Sequence, residues 1–256
     1  MEESAQEETM LFSCKTIQAK TPMTLATLVL FAAALLLSPS PAIGQQTYVS
    51  RYNLYAGYTF LDSPHVSLFE NGFHFQAGVN PKTWYALGFD YSNSGGDMTL
   101  TPNLLTTAWQ EKLGGLLQEL AGEGLLPAGY TVALRVDSRT QTFAAGPQFS
   151  YRHFRKVTLF LRPSAGAIYE DATPQPTDPI TKIIVSALAP SGKKTDWTAF
   201  YGFGGGADFL FSKHVGLRVQ ADLVYDHLFS DILKDGRLTT RFSIGPCFNF
   251  GKNIAK

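Results

Sequence analysis

The stretch Thr198–Phe250, TAFYGFGGGADFLFSKHVGLRVQADLVYDHLFSDILKDGRLTTRFSIGPCFNF, decides the fold, because it reads as three consecutive strands with an apolar residue at every second position. One alternating set is Ala199, Tyr201, Phe203, Gly205, Ala207, Phe209, Phe211, then Val215, Leu217, Val219, Ala221, Leu223, Tyr225, then Leu238, Thr240, Phe242, Ile244, Pro246, Phe248, Phe250. The complementary set is Thr198, Gly202, Gly204, Gly206, Asp208, then Gly216, Arg218, Gln220, Asp222, Asp226, then Thr239, Arg241, Ser243, Gly245, Asn249. One face is apolar and the other is small or polar. A period of two held for about ten residues per strand is what a tilted bilayer-crossing β-strand requires.

Working outward, five earlier segments repeat the pattern. Arg51–Leu61 sets Tyr52, Leu54, Ala56, Tyr58 and Phe60 against Asn53, Gly57 and Thr59. Phe73–Asn80 sets Phe73, Phe75, Ala77 and Val79 against His74, Gln76, Gly78 and Asn80. Thr83–Tyr91 sets Tyr85, Leu87, Phe89 and Tyr91 against Trp84, Ala86, Gly88 and Asp90. Thr140–Tyr151 and Val157–Glu170 complete the series, the latter with Arg162 and Glu170 on its polar face. The connections alternate between long (62–72, 92–139, 171–197, 226–237) and very short (near 81, 154 and 213). The expectation is an all-β chain, an eight-stranded antiparallel up-and-down transmembrane barrel with long extracellular loops and both termini periplasmic. Pro147, Pro163 and Pro246 fall inside strands, and a missing N–H donor there predicts β-bulges.

A soluble barrel with its apolar face inward has the same period. The polar face separates the two readings: it carries Gly, Ser, Thr, Ala, Gln and a few Arg and Asp, and no lysine, which suits a cramped lumen better than bulk water. Aromatic rims agree, with Tyr91, Tyr169, Tyr201 and Tyr225 at the outer end and Tyr85, Tyr151, Phe211 and Phe250 at the inner end, as two girdles.

Composition fits. Only 16% of the 256 residues are charged, aromatics reach 13%, and the formal net charge of zero gives no sign of nucleic acid as a partner. Leu25–Leu37 is an apolar run interrupted only by Thr27, flanked by Lys15 and Lys20 and followed by Ala42-Ile43-Gly44, so residues 1–44 read as a secretory signal peptide cleaved before Gln45, with 45–256 the barrel domain. An N-terminal anchor helix is the alternative. The acidic opening MEESAQEE does not suit a signal flank, which points to translation starts at Met10 or Met23. Of the two cysteines, Cys14 precedes the apolar run and Cys247 is left alone, so neither a disulfide nor a metal cluster is expected, and no cofactor.

The signal segment, the eight alternating strands from Tyr52 to Phe250 and the aromatic-rich last strand FSIGPCFNF resemble the small bacterial outer-membrane barrels of the OmpA and OmpX type. The resemblance implies a monomeric barrel in the bacterial outer membrane, in contact with its lipids and with lipopolysaccharide. Two features differ from that type: six residues follow Phe250, and no peptidoglycan-binding segment follows the barrel, so the resemblance does not carry a tethering role.

The candidate interior network is His74, Asp90, Arg162, Glu170, Asp208, Arg218, Asp222 and Arg241. Mirroring the short turn about Lys213 sets Asp208 opposite Arg218 on the lumen face, a predicted ion pair. Mutual satisfaction of buried charges is one reading of the set; an ion path through a side-chain plug is the other. Barrel enzymes that modify lipid A need a nucleophile, a base and an orienting carboxylate near the outer rim. Asp226, His227, Ser230 and Asp231 are the only local grouping, without a catalytic spacing, so no enzyme is expected.

In the longest loop, Thr101-Pro102 reads as a cap and first helical position, and Leu105, Trp109, Leu113, Leu116, Leu117 and Leu120 follow helical spacing as far as Gly122 and Gly124. This amphipathic helix lies on the membrane, folds over the barrel mouth, contacts a partner or packs on its own loop. Ile180, Ile183, Ile184, Val185 and Leu188 of the next loop are candidates to pack against it as a lid. Lys193-Lys194 is a candidate contact for lipopolysaccharide phosphates. The expected function is structural, in envelope integrity or narrow porin-like conduction; the alternative is surface binding of an external ligand by the loops.

Overall fold

The computed structural model describes residues 46–255, so the segment 1–44, expected to be a signal peptide, lies outside the described residues. Eight antiparallel strands close into a barrel, each hydrogen-bonded to its sequence neighbour and the last to the first. They are β1 (Ser50–Ser63), β2 (Leu68–Lys82), β3 (Tyr85–Leu100), β4 (Leu134–Tyr151), β5 (Val157–Gln175), β6 (Lys194–Leu210), β7 (Val215–Asp226) and β8 (Arg237–Asn253). Two helices stand in the extracellular connections, α1 (Thr107–Gly122) and α2 (Pro179–Leu188).

The alternating faces point as lipid requires. Tyr52, Phe73, Phe89, Phe149, Phe203, Phe242 and Ile244 are all exposed on the outside, and Tyr201 reaches 64% exposure. In water, so much contiguous apolar surface would drive association; in hydrocarbon it is the favoured solvent contact, and closure leaves no strand edge unpaired. At about 3.3 Å per residue and a tilt of about 45°, the run from Leu238 to Phe250 spans roughly 28 Å along the membrane normal, close to a hydrocarbon core.

Rings collect at both ends of this band. At the outer end Tyr169 lies 5.1 Å from Trp197, Tyr201 lies 5.3 Å from Tyr225, and Tyr91 lies 5.0 Å from Phe143. At the inner end Tyr52 stacks on Phe250 at 5.6 Å, Tyr85 lies 5.8 Å from Phe149, and Tyr151 lies 6.0 Å from Phe154; Phe211 is exposed beside them. Trp84 is a correction to the sequence reading. It sits in the turn before β3, where alternation has stopped, and stacks on Phe149 outside the barrel instead of facing the lumen.

A second correction concerns length. β2 begins five residues before Phe73, β3 runs on to Leu100 and β4 begins at Leu134, so the long connections shrink to 64–67, 101–133, 176–193 and 227–236. Above the outer girdle the polarity of the two faces changes over. On β4, Arg135, Asp137 and Arg139 point out while Leu134 and Val136 are buried inside. The barrel wall therefore continues past the membrane as an ordinary water-facing sheet around an apolar core.

No bulge forms at the prolines. Pro147 and Pro163 fall directly opposite each other, and the β4–β5 ladder lapses between Ala145↔Ala165 and Phe149↔Leu161 with its register unchanged. Two residues that both lack an N–H can face each other without an inserted residue. Pro246 likewise keeps register against Leu217. The register shifts of the barrel lie elsewhere, between Ser50 and Tyr52 and between Val79 and Lys82.

Candidate functional site

The lumen is filled by side chains arranged in tiers. In the lowest tier Asp208 and Arg218 are register partners. Arg218 donates from Nε to Asp208 Oδ1 at 2.6 Å and from Nη2 to Oδ2 at 2.9 Å, a bidentate pair, and from Nη1 to Gln76 Oε1 at 2.6 Å. Its guanidinium lies over the Phe160 ring at 4.6 Å and is 2% exposed. Bidentate geometry and a stacked ring are what a buried guanidinium needs to offset its desolvation.

The middle tier gathers four more of the sequence-identified charges. Arg241 Nη2 lies 2.9 Å from Asp222 Oδ2 and 3.3 Å from Asp90 Oδ2, while Nη1 donates to Ser92 and Thr142 hydroxyls at 3.2 Å each. Arg162 Nη1 reaches Asp90 at 2.9 Å. His74, fully buried, holds Asp90 through Nε2 at 2.7 Å and meets Ser243 Oγ through Nδ1 at 2.9 Å. Gln76 and Gln220 join this tier to the one below, with Gln220 Nε2 2.8 Å from Asp222.

The upper tier contains residues the sequence reading did not place inside. Glu170 was expected there, and Asp226 stood on the polar face of its strand though outside the candidate network; Glu70 and Arg237 were assigned to neither. Arg237 Nη1 lies 2.7 Å from Glu170 and its Nε 3.4 Å from Asp226. Glu70 accepts from Ser94 at 2.9 Å, Ser138 at 2.6 Å and Thr140 at 2.9 Å, and Ser138 Oγ also lies 3.0 Å from Glu170. Parity was the available signal, since Glu70 shares the face of His74 and Gln76, and Arg237 that of Arg241.

Over this tier sits the apolar cap. Leu68, Met98, Leu134, Val136, Ile168, Phe200 and Val224 from the strands pack with Leu113 and Leu120 of α1, Ile180 and Ile184 of α2, and Leu228, Phe229, Ile232 and Leu233 of the last connection. Trp109, Leu116 and Leu117 are half-buried against it. Leu105 is corrected: it lies before α1, in extended backbone bridged to Leu233. Pro102 opens a short 3₁₀ turn, Pro102–Leu104, instead of the helix.

Helix α2 is fixed by a capping box that the sequence reading did not identify. The Thr181 N–H donates to Asp178 Oδ1 at 2.9 Å, and the Asp178 N–H donates to Thr181 Oγ1 at 3.2 Å. The bond from the Thr181 N–H, with that from the Tyr130 hydroxyl at 3.1 Å, holds the Asp178 carboxyl below its usual range. Partial desolvation and the same carboxylate push the Tyr130 phenol up. Because the Asp178 value is depressed on folding, its contribution is full above the unfolded carboxylate value and is lost as pH falls through the folded one. The D178A chain is expected to exchange amide hydrogens of 179–188 faster at neutral pH, and the difference from the parent is expected to vanish in acid. Equal exchange at neutral pH would refute the cap's role.

Three members of the Asp226, His227, Ser230 and Asp231 grouping, which lacks a catalytic spacing, are engaged in other contacts. Asp226 is engaged by Arg237 and by the Leu228 N–H at 3.1 Å, His227 Nε2 lies 3.4 Å from the Tyr225 hydroxyl, and Asp231 pairs with Lys194. Lys193 meets Asp171 at 3.2 Å, so both lysines of the candidate lipopolysaccharide contact already face carboxylates. Among the described residues no group of histidines, cysteines and carboxylates is placed to hold a metal.

No family model and no curated protein matches the chain. Among solved structures it is similar to Neisserial surface protein A, at 10% identity and a TM-score of 0.48, covering 78% of this chain and 96% of that one. It is similar also to Ail, the attachment invasion locus protein of Yersinia pestis, in complex with the heparin analogue sucrose octasulfate, at 12% identity and 0.44, covering 79% and 99%. A third is the outer membrane protein OprG from Pseudomonas aeruginosa, at 9% and 0.43, covering 81% and 99%. On its own closed sheet, apolar belt and aromatic girdles, the chain has the fold of an eight-stranded membrane-spanning β-barrel.

Proposed function

We propose that the protein is a non-conducting outer-membrane barrel with a structural role, a rigid post that carries a folded cap on the cell surface. The observation that carries this reading is the occupied lumen: Arg218, Arg162, Arg237 and Arg241 are each within ion-pair distance of a carboxylate and no more than 3% exposed, and an apolar core closes the outer end. An ion crossing this interior would have to break several charge-assisted bonds in succession. Purified protein in planar bilayers is expected to give a silent baseline. Reproducible conductance steps that change in an R218Q chain with intact fold would favour the plug as a gate and overturn this reading.

A second reading, surface binding, has support in the cap. Ile183 and Leu125 are exposed there, and Trp109, Leu113, Leu116 and Ile184 line a small groove between the two helices. A binder would lose surface attachment on I183E with the barrel's heat-dependent gel shift unchanged; a structural post would lose neither.

A further inference from the structure

The charges of this molecule are sorted by height. Every charged residue in the periplasmic segments 46–53, 80–86, 151–157, 210–216 and 249–255 is basic, and none of these segments contains a carboxylate. Lys82, Arg152, Arg155, Lys156, Lys213 and Lys252 thus ring the inner end, supplied by every short turn and by the end of β8. The extracellular segments are mixed and contain more acids than bases; Asp97, Asp137, Asp171, Asp196, Asp231 and Asp235 all lie there.

One of these cations is built into a site. Arg152 is half-buried at the inner mouth, where it lines two adjoining cavities. One, of about 790 Å³, also meets Lys82, Trp84, Tyr151 and His153, and the other, of about 250 Å³, meets Arg155, Lys156 and Lys213. Its guanidinium donates only to neutral acceptors: the Thr83 carbonyl at 2.8 Å, the Thr158 hydroxyl at 3.1 Å and the Gln46 side-chain carbonyl at 3.4 Å. No carboxylate among the described residues lies within ion-pair distance of it. Burial pulls it down to about 10, which leaves it charged at neutral pH.

We infer that the inner rim is a binding surface for anionic phospholipid headgroups of the periplasmic leaflet, with a headgroup phosphate seated at the mouth against Arg152 and ringed by Lys82, Arg155, Lys156 and Lys213. The level of the ring favours lipid over an acidic protein. The cations sit just below the inner aromatic girdle, Lys82 Nζ lies 5.7 Å over the Trp84 ring, and exposed Trp84, Tyr151 and Phe211 stand between the charges and the hydrocarbon. Positive charge spread around the whole circumference matches a planar sheet of headgroups, whereas a protein docking from below would meet one side.

The inference rests on the barrel's standing in a membrane, and one experiment separates the two. A W109F/W197F chain keeps Trp84 as its only tryptophan in the barrel domain. It is placed in phosphatidylcholine vesicles doped with equal fractions of either brominated phosphatidylglycerol or brominated phosphatidylethanolamine. Trp84 quenching by the anionic lipid is expected to exceed that by the zwitterionic lipid several-fold. The excess is expected to fall with R152Q, and to vanish in K82Q/R155Q/K156Q/K213Q and at about 0.5 M salt, where charges more than a few ångströms apart are screened. Equal quenching by both lipids, or a preference that survives the fourfold change, overturns the inference while leaving the barrel in its membrane. Quenching by neither overturns the membrane reading itself. Native mass spectrometry of the unaltered chain gives an independent readout: retained phosphatidylglycerol adducts support the site, and equal retention of both lipids counts against it.

Discussion

Replacing Arg241 with Met is expected to cost the barrel about 3–5 kcal/mol, read as a lower urea midpoint for unfolding from lipid vesicles with little change in slope. Arg241 lies between Asp90 and Asp222 and donates to Ser92 and Thr142. A methionine fills much of the volume but returns nothing to two carboxylates that water cannot reach. Arg162 and His74 still hold Asp90, so Asp222 takes most of the loss, with only Gln220 left to donate to it among the contacts seen. The lowest tier supplies the contrast. R218L alone is expected to be as damaging, because Asp208 loses its bidentate partner, whereas D208L/R218L removes both charges and is expected to lie near the parent or above it. If R241M unfolds like the parent, the tiers carry no stability and the lumen is solvated.

The period of two was legible across the whole bilayer-crossing part, which is why orientation, strand number and the Asp208–Arg218 juxtaposition could be read from residues alone. What escaped lies where the two faces exchange character. From Leu134 to Arg139 the chain still alternates, but with apolar side chains inward and charges outward, so it resembles a water-facing strand or a polar loop and not a continuation of the membrane pattern. Glu70 and Arg237 were lost for the same reason, since both belong to strand ends that pass the girdle before they end. Phe200, unassigned in the alternating sets, faces inward because the lumen has already turned apolar at its height. The second helix was hidden by composition: PITKIIVSAL is rich in β-branched residues, and only the Asp178–Thr181 spacing marked its start. The proline positions were correct and their consequence was not, because whether two prolines meet across a ladder depends on register, which no single strand encodes.

The other large effect tests which solvent bathes the outside. Ile244 stands midway between Leu238 and Phe250 on β8, is exposed, and has Tyr58 and Val219 as register partners on the two flanking strands. I244R is therefore expected to cost about 2–4 kcal/mol in vesicles, against about 0–1 kcal/mol for L238R or F250R at the two edges, where an arginine reaches headgroups and water. Were the belt wetted, all three would behave as ordinary surface changes, within about 0.5 kcal/mol of the parent. The profile matters more than any single value, because an unspecific packing defect has no reason to peak at mid-strand, whereas the desolvation of a guanidinium must be greatest farthest from both interfaces. A flat series would mean that these side chains do not face hydrocarbon, and the apolar belt would then need an occupant other than lipid.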